Sequence, residues 1–472
     1  HGSVSICMCK KKNIYFFVII VISLIGIFIF LRRESAIVRQ PVNIVLIVID
    51  ALRADHLGCY GYKRNTSPNI DNFAKEGVRF AQAITAAGWT VESLPSILTG
   101  TYSPTHQIRD WDDLRNDSIQ TLAQLLSREG YECMFWSNHG CVIYSDIREG
   151  FQKVEIKKEL HNDYPVVSDL ALTEEIIEEL ESQCKKNNPF FWYIHYQGSH
   201  VPYLPPEPYK SMYIHDQCRD NLESVPISEF TSESTKLNKY YGHGVIPFVV
   251  ADNNITDPNY YISQYDGSIS YTDAQVGKLV SSLKKLELDK NTLVIVTADH
   301  GEMLGEHNIY FTHTTGYEEN VRVPLIIRLP KLFPKGKIVS RQVSLVDLAP
   351  TILESAGLVF PFYMQGESLL ALARTSQKYH KKYVYFFERK NSMLRSEDWK
   401  LIHHDRAWEL YNLKDDPREQ RNLIDENQHK FMELKQIFED FITEITPPAP
   451  TKKGPPITEE DKERLRSLGY LQ

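Results

Sequence analysis

The sequence predicts an α/β fold, a mostly parallel sheet sandwiched by helices, with a small antiparallel sheet near the carboxyl terminus. Three observations predict it. Val42 to Asp50 and Asn291 to His300 are β-branched apolar runs that carry an aspartate at the end. Such runs suit strands buried on both faces of a sheet. Helical patterns intervene at Ser118 to Glu129, Ser168 to Lys186 and Ala274 to Leu288, and strand alternating with helix implies parallel strands covered by helices. From Tyr383 the pattern turns to short strands with tight turns, the signature of an antiparallel sheet.

Taken in order, the chain opens with Lys10-Lys11-Lys12, an apolar run from Asn13 to Leu31, and Arg32-Arg33. That run spans about 28 Å as a helix, close to the ~30 Å hydrocarbon core of a bilayer. It exceeds a secretory h-region, so it reads as an uncleaved signal anchor. The lysines place its amino side in the cytoplasm and the rest of the chain outside. Further strands are expected at Phe190 to His195 and Val323 to Arg328, and the stretch from Leu204 to Tyr261 is rich in Pro, Tyr, Asn and Ser. A loop-like stretch of that length reads as a lid or pocket insertion, or else as decoration. Short strands follow at Tyr383 to Glu388, Met393 to Arg395, Trp399 to His404 and Trp408 to Leu413, then an amphipathic helix from Gln428 to Thr443. The resulting organisation is a tail and anchor (1–36, spanning segment 13–31), a main α/β domain (42–375, insertion 204–261) and a carboxy-terminal subdomain (376–472).

The composition narrows the function. A formal net charge of −8 over 472 residues excludes general nucleic-acid binding, which wants a basic stripe. The seven cysteines include no C-x-x-C pair, so no zinc ribbon is suggested. Cys133 and Cys141 are close enough in sequence for a local disulfide, with plain thiols as the alternative.

Three separated segments deliver ligands for a cation: Asp50, Thr90, and Asp299 with His300. Oxygens with one nitrogen suit a single divalent ion, Zn²⁺, Mn²⁺ or Ca²⁺. In a parallel sheet the site lies beyond the carboxyl ends of the strands, where Asp50 and Asp299 fall. Thr90 opens a helical stretch, whose free N–H groups would point at a bound anion.

These segments carry a family resemblance. Gly88 to Gly100 resembles the sulfatase signature C/S-x-P-S-R-x-x-x-L-T-G, with Thr90 at the residue that sulfatases oxidise to formylglycine. Asp50 to Tyr62 is similar to the family's opening motif, and Ala298-Asp299-His300-Gly301-Glu302-Met303-Leu304-Gly305-Glu306-His307 to its second metal motif. Glu409-Leu410-Tyr411-Asn412-Leu413 with Asp416-Pro417 resembles its carboxy-terminal signature. The resemblance implies an alkaline-phosphatase-like sandwich and a metal-dependent hydrolase of sulfate or phosphate esters. It implies Thr90 as nucleophile, with Asp50, Thr90, Asp299 and His300 holding the metal. His200 and His313 would serve the leaving group and the ester, and His139 and His195 would bind substrate.

The departures are Ala51, where sulfatases carry a further aspartate, Leu94 in place of an arginine, and His313 near the place of a lysine. Tyr265-Asp266 lacks the following histidine that a second metal would need. The substrate expected is a small-molecule, glycan or lipid ester. Two alternatives stay open: a membrane-anchored phosphoethanolamine or other headgroup transferase, and an inactive binding protein on the same fold.

Overall fold

The computed structural model describes residues 41–472 except 140–145, 157–168, 187, 216–222, 228–243, 247–251, 253, 314, 376–380, 389–390, 405–406, 448–451 and 454–472. The Asn13–Leu31 run and Cys141 therefore lie outside the described residues. Among those described, no helix is long and apolar enough to cross a membrane.

Eight strands form the main sheet: β1 (Asn43–Ile49), β2 (Val78–Ile84), β3 (Glu132–Ser137), β4 (Lys153–Ile156), β5 (Phe190–Tyr196), β6 (Thr292–Thr297), β7 (Arg322–Arg328) and β8 (Lys337–Ser344). Their spatial order is β8-β2-β7-β6-β1-β5-β3-β4. Strand β7 runs antiparallel to both β2 and β6, and every other neighbouring pair is parallel. The four runs expected from sequence are β1, β5, β6 and β7. All four are buried at nearly every position, as strands covered on both faces must be. Strands β2 and β8 were not legible, because each mixes exposed polar residues into a short run.

The helices that position the site are α1 (Pro68–Glu76), α2 (Thr90–Thr99), α3 (Leu122–Arg128), α4 (Asp169–Gln183) and α5 (Pro258–Lys285). Helix α3 starts at a capping box, the Thr121 hydroxyl accepting from Gln124 N while the Gln124 side chain accepts from Thr121 N, which supplies two of the orphan ends of a first turn. Helix α5 differs from expectation. It begins at Pro258, capped by the Asp257 side chain, sixteen residues before the expected Ala274. Its first half, Tyr260 to Ser270, is buried on nearly every side, so it lacks the one-sided apolar stripe that betrays a helix in sequence.

The carboxy-terminal sheet is an antiparallel meander of β9 (Val384–Glu388), β10 (Asn391–Arg395), β11 (Trp399–His404) and β12 (Ala407–Asn412). Helix α6 (Gln428–Ile445) follows and packs Phe438 and Phe441 on Phe387 and Tyr385.

Candidate active site

The site gathers at the carboxyl ends of parallel strands. Asp50 follows β1, His139 follows β3, His195 and His200 come from β5 and the loop after it, and Asp299 and His300 follow β6. Thr90 is the first residue of α2, a ten-residue helix buried along its whole length. Its Oγ1 lies 3.4 Å from Asp50 Oδ2 and 3.5 Å from His300 Nε2. The structure thus brings together the four residues expected to hold a metal.

The donors fit a cation on two observations. Asp50 Oδ1 and Asp299 Oδ2 are fully buried and have no hydrogen-bond partner among the described residues, an arrangement that costs free energy unless a positive charge faces them. His300 Nδ1 donates to Gly301 O at 2.9 Å, so a neutral ring turns its Nε2 lone pair inward. That lone pair faces Asp50 Oδ1 at 3.4 Å and Asp299 Oδ2 at 3.6 Å. Burial, then the neighbouring Asp299 charge, pushes the Asp50 carboxyl well above its ordinary range. A metal ion here would reverse that logic.

Local backbone holds these groups. Ala51 takes a left-handed conformation at φ 56°, and its carbonyl accepts from Tyr265 Oη at 2.7 Å. A non-glycine residue there stores strain that its surroundings must hold. A side chain at Gly301 would collide with the Glu319 carbonyl oxygen, so glycine is required where the Asp299–His300 loop passes α-helical residues 318–321.

Five imidazoles crowd the pocket. The His300 and His313 rings are 4.4 Å apart, His200 and His313 5.3 Å, and His139 and His200 5.3 Å. Burial, followed by the charges of the neighbouring histidines, holds His139 and His200 well below the ordinary range, and burial lowers His195 to about 4. His200 Nδ1 donates to Val201 O at 2.6 Å, which leaves Nε2 for the pocket. His139 Nε2 sits 3.3 Å and His195 Nε2 3.2 Å from Asp50 Oδ2.

Leu94 points into the apolar core. Glu302 was not singled out in the sequence. It is fully buried and faces His313 Nδ1 at 3.7 Å. The one signal for it was its place directly after Asp-His-Gly. Asp266 binds His56 Nδ1 (2.7 Å), Tyr62 Oη (2.6 Å) and Arg64 (2.8 Å), a paired structural acid remote from metal chemistry. Glu306 supports Arg53 at 3.0 Å, and His404 faces Glu409 on the small sheet.

The mostly parallel sheet between helices, the small antiparallel sheet and the strand-end site define an alkaline-phosphatase-like α/β enzyme. Residues 42–358 match the family model for sulfatases, and residues 305–445 match that for the carboxy-terminal region of N-sulphoglucosamine sulphohydrolase. The chain belongs to the sulfatase family and is a hydrolase of that family. It is 27% identical to an N-acetylglucosamine-6-O-sulfatase of Bacteroides thetaiotaomicron, over 85% of this chain and 86% of the relative. It is 28% identical to human iduronate 2-sulfatase, over 68% of this chain and 70% of the relative. Among solved structures, it resembles an enzyme in complex with its substrate D-glucosamine-2-N,6-O-disulfate (TM-score 0.72, 23% identity, covering 86% of this chain and 98% of that one). It also resembles the phosphonate monoester hydrolase of Agrobacterium radiobacter (TM-score 0.68, 19% identity, covering 86% and 95%).

Proposed function

We propose that this chain is a metal-dependent hydrolase that cleaves singly charged sulfate or phosphate esters through Thr90. The observation that carries the reading is the Thr90 hydroxyl between Asp50 Oδ2 and His300 Nε2, beside two buried carboxylate oxygens that have no hydrogen bond among the described residues. Asp50, Asp299, His300 and Thr90 would hold one divalent ion. When bound, that ion neutralises the ester's charge and lowers the pKa of the threonine hydroxyl.

The chain's own residues supply the rest. Thr90 Oγ1 forms a bond to the central sulfur or phosphorus, and its proton passes to Asp50 Oδ2, toward which it already points. The bond to the ester oxygen breaks, and that oxygen takes a proton from His200 Nε2. In the free site His200 is held neutral with its proton on Nδ1, so its acid role depends on the negative charge of the bound ester raising the ring pKa until Nε2 takes a proton from water. A water must then attack the central atom in a second step: its proton passes to His200 Nε2, the bond to Thr90 Oγ1 breaks, and Oγ1 recovers its proton from Asp50 Oδ2. The amino end of α2 faces the anion that both steps create.

Two measurements test this. Rapid quenching followed by peptide mass spectrometry should find the added group on Thr90; an adduct on another residue would sink the assignment. In Asp299→Ala, metal content and turnover should fall together. Full metal occupancy in that variant would remove Asp299 from the site.

The Asn13–Leu31 run is proposed to anchor the chain with its catalytic domain outside the cytoplasm. Protease added to intact cells should then reach that domain, and recovery of the enzyme in the soluble cytoplasmic fraction would refute the topology.

A further inference from the structure

We propose that His195 is a positioning residue that fixes Asp50 by donating from Nε2 to Oδ2, through a relay that begins at Tyr193. The proposal rests on the reading that Asp50 holds a cation.

His195 sits on β5 directly beside Val48 of β1, so its ring reaches Asp50 from the neighbouring strand. Tyr193 lies two residues earlier and therefore on the same face of β5. Both are fully buried. Tyr193 Oη lies 2.9 Å from His195 Nδ1, and His195 Nε2 lies 3.2 Å from Asp50 Oδ2. Both ring nitrogens thus face protein groups.

The proton positions follow from the partners. A phenol keeps its proton at neutral pH, and among the described residues the Tyr193 hydroxyl has no hydrogen-bond partner besides His195 Nδ1. A buried donor left unsatisfied costs about 1–3 kcal/mol, so Tyr193 donates to Nδ1. A neutral imidazole that accepts at Nδ1 carries its proton at Nε2. His195 therefore donates to Asp50.

This bond decides which carboxylate oxygen is taken. Oδ2 receives His195 and Thr90 and also lies 3.3 Å from His139 Nε2, while among the described residues Oδ1 has no hydrogen-bond partner and faces His300 Nε2. Without His195 the carboxylate loses its shortest contact at Oδ2 and keeps there only the longer approaches of Thr90 and His139, so its orientation is held less firmly. Outer partners of this kind orient metal ligands and tune affinity.

The test uses the whole chain, stripped with a chelator and titrated calorimetrically with Mn²⁺, with Zn²⁺ and Ca²⁺ in parallel. Wild type should bind one ion per chain. His195→Ala should weaken Kd about 10–100-fold, the range for loss of an outer partner. His195→Gln keeps an N–H donor and should recover most of that loss. Tyr193→Phe removes one oxygen, keeps the ring, and should weaken Kd by several-fold; it serves where His195→Ala fails to fold. Melting curves in chelator report packing separately. Unchanged Kd in His195→Ala or Tyr193→Phe, or equal losses in the Ala and Gln variants, would overturn the proposal. Two ions per wild-type chain would also overturn it, because His195 would then be a ligand. Failure of wild type to bind any of the three ions would instead remove the metal site, and the proposal with it.

Discussion

The proposed mechanism concentrates its chemistry on Thr90, an ordinary hydroxyl at the first residue of α2. In the proposed mechanism Thr90→Ala removes the attacking atom and should lower kcat by at least about 10³-fold, roughly 4 kcal/mol in barrier. Thr90→Ser keeps the hydroxyl and should stay within about tenfold, since only a methyl is lost. Steady-state rates on the two variants, at matched metal content, decide it; an active Thr90→Ala enzyme would show that another group attacks. At this scale much of the site was legible. Asp50, Thr90, Asp299 and His300 sit in ordered motifs at strand and helix ends, and they converge to 3.4–3.6 Å. Glu302 and the inward role of His195 were not. A side chain's partner across a sheet depends on register, such as Val48 beside His195, and register is not written in a single strand.

At the scale of elements, the helix carrying Thr90 is held by a buried histidine that the reaction does not use. His106 accepts from Ile108 N at Nδ1 (3.1 Å) and faces Ser96 Oγ of α2 at Nε2 (3.1 Å). Burial, then the nearby Arg109 charge, lowers its pKa to about 3. The unfolded chain therefore binds a proton here that the folded chain refuses, between pH ~6.5 and ~3. Stability rises with pH through that window and is lost as pH falls, by up to about 1.4 kcal/mol per unit. Relative to His106→Gln, wild type should lose about 2 kcal/mol between pH 6.5 and 4.5 in denaturant titrations. Parallel curves for the two proteins would exclude His106 as the source. Elements varied in legibility for a related reason. β1 announces itself by burial on both faces, whereas the first half of α5 is buried all round and polar in sequence, so no periodicity marks it.

Across the molecule, a buried charge network ties the small sheet to the catalytic part. Lys400 on β11, itself fully buried, bonds Glu318 and Glu419, at 2.9 and 2.8 Å. Arg395 on β10 also binds Glu318 at 2.9 Å. Lys400→Met leaves Glu419 buried without its cation and should cost about 3–5 kcal/mol in chemical denaturation. A loss under 1 kcal/mol would mean that the carboxyl simply takes up a proton.

The same global view sets substrate charge. The −8 net charge and a pocket of imidazoles, of which His139, His195 and His200 are held neutral, offer little positive potential beyond a single ion. With Leu94 in the core rather than a cation at the anion, doubly charged phosphate monoesters should bind poorly. A Thr90 sulfate ester has no hemiacetal route of release and must be cleared by attack at sulfur. A phosphoryl centre carries more negative charge in the transition state, which metal and helix-end amides stabilise. Phosphodiesters or phosphonate monoesters should therefore exceed sulfate monoesters in kcat/KM by at least about tenfold, or about 1.4 kcal/mol. Paired assays on nitrophenyl sulfate, phosphate, phosphonate and diester substrates measure this directly. A preference for sulfate would show that His200 or Glu302 activates water well enough to clear a threonine sulfate, and would return this chain to the chemistry of its named relatives.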